Sequence, residues 1–122
     1  MLSKSLFGAL LAFAIADAAL ADTSAERDIK LTGDAMIYGG DIGDPVGPTP
    51  GDAKAFLNVT GKAAHRMFEM MGRSADQHGE CVDPAVATRA KGDLTCMHDK
   101  DGYTCYLGFN LATGKSIASS TC

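Results

Sequence analysis

The chain has 122 residues, 21% charged side chains and a formal net charge of −4 at pH 7, which suits one modest core in a mildly acidic domain. Its eleven Lys and Arg residues are scattered rather than clustered. That argues against nucleic acid and anionic membranes as partners, since both require a basic patch on a net-negative chain. The four cysteines, Cys81, Cys96, Cys105 and Cys122, all fall in the last third of the sequence.

Residues 1–21 have the layout of a secretory signal peptide. Lys4 supplies the positive start and residues 6–15 an apolar run broken only by Gly8. Ala19-Leu20-Ala21 offers small side chains at both recognition positions of a cleavage site between Ala21 and Asp22. A spanning helix needs about 20 consecutive apolar residues. Asp17 interrupts the run, and no basic stop-transfer cluster follows. The expectation is a protein of the bacterial periplasm or exterior, with no membrane insertion after cleavage. In that compartment thiols become disulfides.

Residues 22–51 read as an N-terminal arm. Residues 33–52 hold six glycines, four aspartates and three of the four prolines, a composition that breaks both helix and strand. The expected structure is a long loop, pinned to the core at most by the apolar cluster Ala35, Met36, Ile37 and Tyr38. A loop of that length in a compact domain is usually functional or disordered.

The folded unit is expected over residues 52–122. Residues 55–59 form a strand or lead into a helix. Ala63, Ala64, Met67, Phe68 and Met71 recur at helical spacing, and Lys62, Arg66 and Glu69 face away. Thr60 is placed to cap this helix through its hydroxyl, and Gly72 to end it. A short second helix can begin at Pro84. Residues 94–98, 103–111 and 116–120 then read as strands of a meander, with turns at residues 99–102 and 112–115. On the middle strand Cys105, Leu107, Phe109 and Leu111 share one face and Thr104, Tyr106, Gly108 and Asn110 the other. A glycine bulge at Gly114 would set Phe109 opposite Ile117. The last strand leaves an exposed edge that can support pairing between copies. The predicted class is α+β: one main amphipathic helix on a small antiparallel meander of three to four strands, disulfide-bonded.

A two-residue turn at Lys100-Asp101 brings Cys96 opposite Cys105, the proximity that a cross-hairpin disulfide needs. Cys81 and Cys122 are then left to pair. With the thiols paired, cysteine nucleophile chemistry has no reagent, and no Cys-x-x-Cys or Gly-x-Ser-x-Gly motif is present. His65, Met67, Met70 and Met71 are a soft donor set suited to Cu(I), although Met67 and Met71 also belong to the helix stripe. Asp41 and Asp44, and the run Asp99-Lys100-Asp101-Gly102, resemble starts of calcium loops but lack the further oxygen ligands and terminal glutamate. Asn58-Val59-Thr60 matches a glycosylation acceptor. No cofactor is called for.

These features point to a small exported non-enzymatic binding protein, of inhibitor or immunity type, whose partner is another secreted or periplasmic protein. Its contacts are expected at Tyr38, Asp41 and Asp44 on the arm and at His98, Lys100, Asp101 and Tyr103 on the first hairpin, because binding residues concentrate on loops. The alternatives are a periplasmic copper-binding protein using the Met/His set, and a structural accessory of an envelope assembly whose arm adds to a partner's sheet.

Overall fold

A computed structural model describes residues 27–118. The proposed signal segment, Cys122 and the end of the last expected strand lie outside the described residues. The elements run β1 (Thr32–Asp41), β2 (Asp44–Val46), β3 (Lys54–Thr60), α1 (Gly61–Met71), a 3-10 turn (Arg73–Ala75), β4 (Ala87–Lys91), β5 (Leu94–Asp99), β6 (Gly102–Asn110) and β7 (Ser116–Ile117). The strands form one antiparallel sheet of seven strands in the order β2-β1-β3-β6-β5-β4, with β7 paired to β6. The class is α+β as expected, and richer in strands than three to four.

The added strands come mainly from the expected arm. Residues 32–41 are a ten-residue strand that pairs with β3 from Thr32↔Thr60 to Tyr38↔Lys54. Glycines at 33, 39 and 40 bracket a run of five residues free of Gly and Pro, and long-range pairing with β3 outweighs the local breaking signal. Residues 84–86 form a turn, and β4 replaces the second helix that Pro84 suggested.

The helix matches its stripe, with Ala63, Ala64, Phe68 and Met71 buried and Gly72 closing it at φ 74°. Thr60 occupies the N-cap position with an extended backbone, but its side chain makes no capping hydrogen bond. As the last residue of β3 it pairs with both Thr32 and Thr104, and its hydroxyl donates to the Thr32 carbonyl at 3.5 Å. Gly61, at φ 70°, turns the chain straight from strand into helix.

Register divides the sheet into two faces. Toward the helix lie Ala55, Leu57 and Val59 of β3, Tyr103, Cys105, Leu107 and Phe109 of β6, and Leu94, Cys96 and His98 of β5. The core is Val59, Ala63, Ala64, Phe68, Met71, Ala75, Cys96 and Cys105, with Ile29, Met67, Leu94, Tyr103 and Leu107 packed against it. The opposite face carries a stacked Phe56–Tyr106 pair, ring centroids 5.6 Å apart.

Cys96 and Cys105 are direct partners in the ladder and form a disulfide, with Cα atoms 4.0 Å apart. Both are fully buried under the helix, and the Cys105 sulfur rests 3.5 Å from the Ala64 carbonyl oxygen. Cys81 is disulfide-bonded as well.

One register differs from expectation. The Asn110 amide donates to the Lys115 carbonyl at 2.8 Å, and the Gly114 amide to the Asn110 carbonyl at 2.7 Å. The turn is therefore longer than the expected bulge, and Ile117 sits opposite Gly108 instead of Phe109. A one-residue slip carries a side chain to the other face. Ile117 accordingly lies over Gly108, and Leu111 projects into solvent.

Candidate functional site

The docking of α1 on the β5–β6 hairpin builds a stack of three rings. The turn Asp99↔Gly102 sets His98 directly opposite Tyr103 on the helix-facing side. Their rings lie parallel, with centroids 3.9 Å apart and planes 5° from each other. His65, from the second turn of α1, covers the other face of Tyr103 at 4.0 Å and 11°. The phenol is thus held between two imidazoles at the surface. Phe68 meets both Tyr103 and His98 edge-on, at 5.3 and 6.2 Å.

Charged groups fix this stack from both sides. One helical turn beyond His65, Glu69 Oε1 lies 2.9 Å from His65 Nε2. On the other side the Arg89 guanidinium lies 4.1 Å from the centre of the Phe68 ring. Its Nε donates to Asp76 Oδ1 and its Nη1 to the Phe68 carbonyl, each at 2.8 Å. Arg89 faces Cys96 across β4 and β5. Two hollows flank the rings. One of about 170 Å³ is bordered by Ile29, Lys62, His65, Arg66 and Glu69, and one of about 280 Å³ includes Phe68, Asp76, His78 and Arg89.

The disulfide lies two residues inward from this row on each strand, so the stacked rings stand on a cross-linked base. Lys100 and Asp101 are exposed in the turn beside them. The Asp101 amide donates to Asp99 Oδ1 at 2.8 Å, an Asx-type turn that accounts for the Asp-rich sequence here.

The other expected contacts lie elsewhere. Tyr38 is buried, with the Lys54 ammonium 5.9 Å from its ring centre, because β1 is a sheet strand rather than a loose arm. Asp41 and Asp44 pair across the tip of the β1–β2 hairpin. That tip is at the Lys54 end of β3, beside Asn110, whereas His98 and Tyr103 are at the far end of β6. The tip lies three residues beyond the Asn110 row and Tyr103 seven residues before it, so at about 3.3 Å per residue the two loops are roughly 30 Å apart and cannot share one small site.

Near the hairpin tip Asp52 and Lys54 form a clip. Lys54 Nζ donates to Asp52 Oδ1 at 2.8 Å and to the Gly40 carbonyl at 2.7 Å, and the Gly40 amide donates to Asp52 Oδ2 at 2.9 Å. The hydrogen bond from Lys54, then that from the Gly40 amide, holds the Asp52 carboxyl below its ordinary value. The same bond to Asp52 raises Lys54.

The proposed copper donors are dispersed around the helix. Met71 is in the core, Met67 packs against it, Met70 is 65% exposed, and His65 is committed to Tyr103 and Glu69. Among the described residues no group of three or more His, Cys, Asp or Glu side chains is placed to hold a metal ion. Asn58 is half-buried in a central strand, and its side-chain oxygen is enclosed without a hydrogen-bond partner.

Sequence reasoning named His98, Tyr103 and His65 but in separate roles, and it missed Glu69 and Arg89. The His65/Glu69 pair has the i,i+4 spacing of helix neighbours and was readable in advance. Arg89 carried no local signal, since its partners come from α1 and the turn after it. Comparison with known proteins finds no matching family model, no matching curated protein and no matching solved structure.

Proposed function

We propose that this chain is a small non-enzymatic binding protein of the periplasm or exterior, and that it engages another extracytoplasmic protein through the His65–Tyr103–His98 face. The ring stack above a buried disulfide is the observation that carries this reading. Aromatic side chains with a polar tip present a large contact area at low entropic cost, and they dominate binding energy when preorganised. His65, Tyr103 and His98 hold one another in place, and Lys100, Asp101 and Glu69 supply a charged rim. The disulfide and the expected export signal suit an oxidising compartment. Among the described residues no helix is long and apolar enough to cross a membrane. Inhibition of, or immunity to, a secreted partner is the activity that such a rigid, cross-linked patch would serve.

The test is capture of a partner from envelope extract with immobilised protein, repeated with variants. Tyr103→Ala should lower capture by about tenfold or more, as loss of a central aromatic anchor does. An Asp41→Ala, Asp44→Ala double variant at the opposite end should leave it unchanged. Equal capture by wild type and Tyr103→Ala, both folded by circular dichroism, would overturn the reading.

A further inference from the structure

The outer edge of β1 is divided. β2 pairs with it only at Gly39, Gly40 and Asp41. Among the described residues nothing pairs with the outer side of Thr32 to Tyr38, although the inner side is bonded to β3 along that whole length. Thr32 to Ile37 are all exposed, and Leu31 and Ile37 are large apolar side chains at 66% and 50% exposure. A free strand edge of this length is a template for another strand.

We infer that this edge is a self-association site, where β1 of a second copy adds antiparallel about a two-fold axis at Ala35 and joins the two sheets. The free edge is its own complement. It runs from residue 32 to residue 38, so an axis at its midpoint, Ala35, uses all of it in both copies and stops where β2 begins. In that register Gly33 of each copy faces Ile37 of the other, on the helix-facing side. Beside Gly33 there is an open hollow of about 170 Å³ with Leu31, Ala35, Leu57 and Val59 as its apolar lining and Thr32, Asp34 and Asn58 at its polar margin. A cavity of ~150 Å³ admits a benzene ring, so an isoleucine side chain fits. Each copy therefore offers the apolar knob that fills the other's hollow.

Neighbouring registers are disfavoured by charge and by space. Residues directly opposite each other in a symmetric pair share a face, so the axis moves in whole-residue steps. Moving it to Asp34 sets that carboxylate directly against its own copy, an unfavourable like-charge pair. Moving it to Met36 sets Gly33 against Gly39, whose outer side β2 already occupies. A seven-residue ladder with two isoleucine contacts is small beside the ~1,000 Å² expected of a stable interface. The dimer therefore forms reversibly and dissociates on dilution.

The experiment is sedimentation of the mature chain across a dilution series. A monomer–dimer equilibrium is expected. Ile37→Lys should raise the dissociation constant by about tenfold or more, since it removes two buried apolar contacts. Leu111→Lys, equally exposed but in the turn after β6, should leave it unchanged. Register is read with Ala35→Cys, which should give a covalent dimer on oxidation, because the two residues face each other at the axis. Met36→Cys, placed opposite Asp34, should not. A monomer at every concentration, or a dimer indifferent to Ile37→Lys, overturns the inference. So does cross-linking through residue 36 rather than residue 35.

Discussion

At the scale of single residues, the Asp52–Lys54 clip gives a pH dependence of defined sign. Asp52 titrates below its ordinary value of 3.8 in the folded chain, so its contribution is complete above that value and fades as pH falls through the lowered one. Lys54 titrates above its ordinary 10.5, so its contribution is complete below that value and fades as pH rises through the raised one. Solvent reaches both groups, so the slopes are shallow. Asp52→Asn should flatten the fall in urea stability below about pH 4 relative to wild type. Parallel acid profiles for the two proteins would show that the clip contributes nothing. The ring stack behaves differently, because its members reinforce one another by packing. Loss of Tyr103 removes the surface that both imidazoles rest on, whereas loss of His98 leaves His65 and Tyr103 in contact. Neither effect is written in residue identity alone. His98 and Tyr103 are a consequence of a two-residue turn, and His65 joins them only through the docking of α1.

At the scale of elements, β7 shows how one absent side chain sets a pairing. A Cβ at residue 108 would come within 2.9 Å of both the Ile117 side chain and its carbonyl oxygen. The second contact is with backbone and cannot be relieved by a rotamer change. Gly108→Ala should therefore displace β7 and cost about 1–3 kcal/mol, the range for overpacking. The Asn110 amide, bonded to the Lys115 carbonyl, should then exchange faster with deuterium. Unchanged exchange and an unchanged urea midpoint would mean that Ile117 moves aside freely. The elements also differ in how legible they were. The stripe Ala63, Ala64, Met67, Phe68 and Met71 carries its own period, and α1 follows it. The strand alternation of β5 and β6 was equally plain. β1 was hidden, since its glycines and aspartates signal a loop and its reason for being a strand is β3. The β6–β7 register turned on one residue of loop length, which composition does not encode.

At the scale of the whole molecule, stability depends on a helix bearing on a sheet that is cross-linked beneath it. The Cys96–Cys105 bond closes a short loop, with a sequence separation of 9. On the chain-entropy model such a loop contributes about 3 kcal/mol, a large share of the ~5–15 kcal/mol typical of a domain. A Cys96→Ala, Cys105→Ala double variant should lose about that amount in urea unfolding, with added loss from the hollow left under Ala64. A drop below about 1 kcal/mol would mean that the hairpin is equally well ordered without the bond. The proposed recognition face and the proposed self-association edge are separate parts of this body, the ring stack at one end of β6 and the free edge of β1.

The sequence by itself determined the features whose information is local. These are the helix stripe, the alternation on β5 and β6, and the two-residue turn that sets Cys96 against Cys105. Each follows from a short period or a short loop, and neighbouring residues are enough to state it. The tertiary structure alone decided that residues 32–41 are a strand, that the Asp41–Asp44 tip stands far from His98, and that His65 closes on Tyr103. Those depend on pairings between distant segments. Their free energy appears only when both partners are in place, so no local pattern announces them.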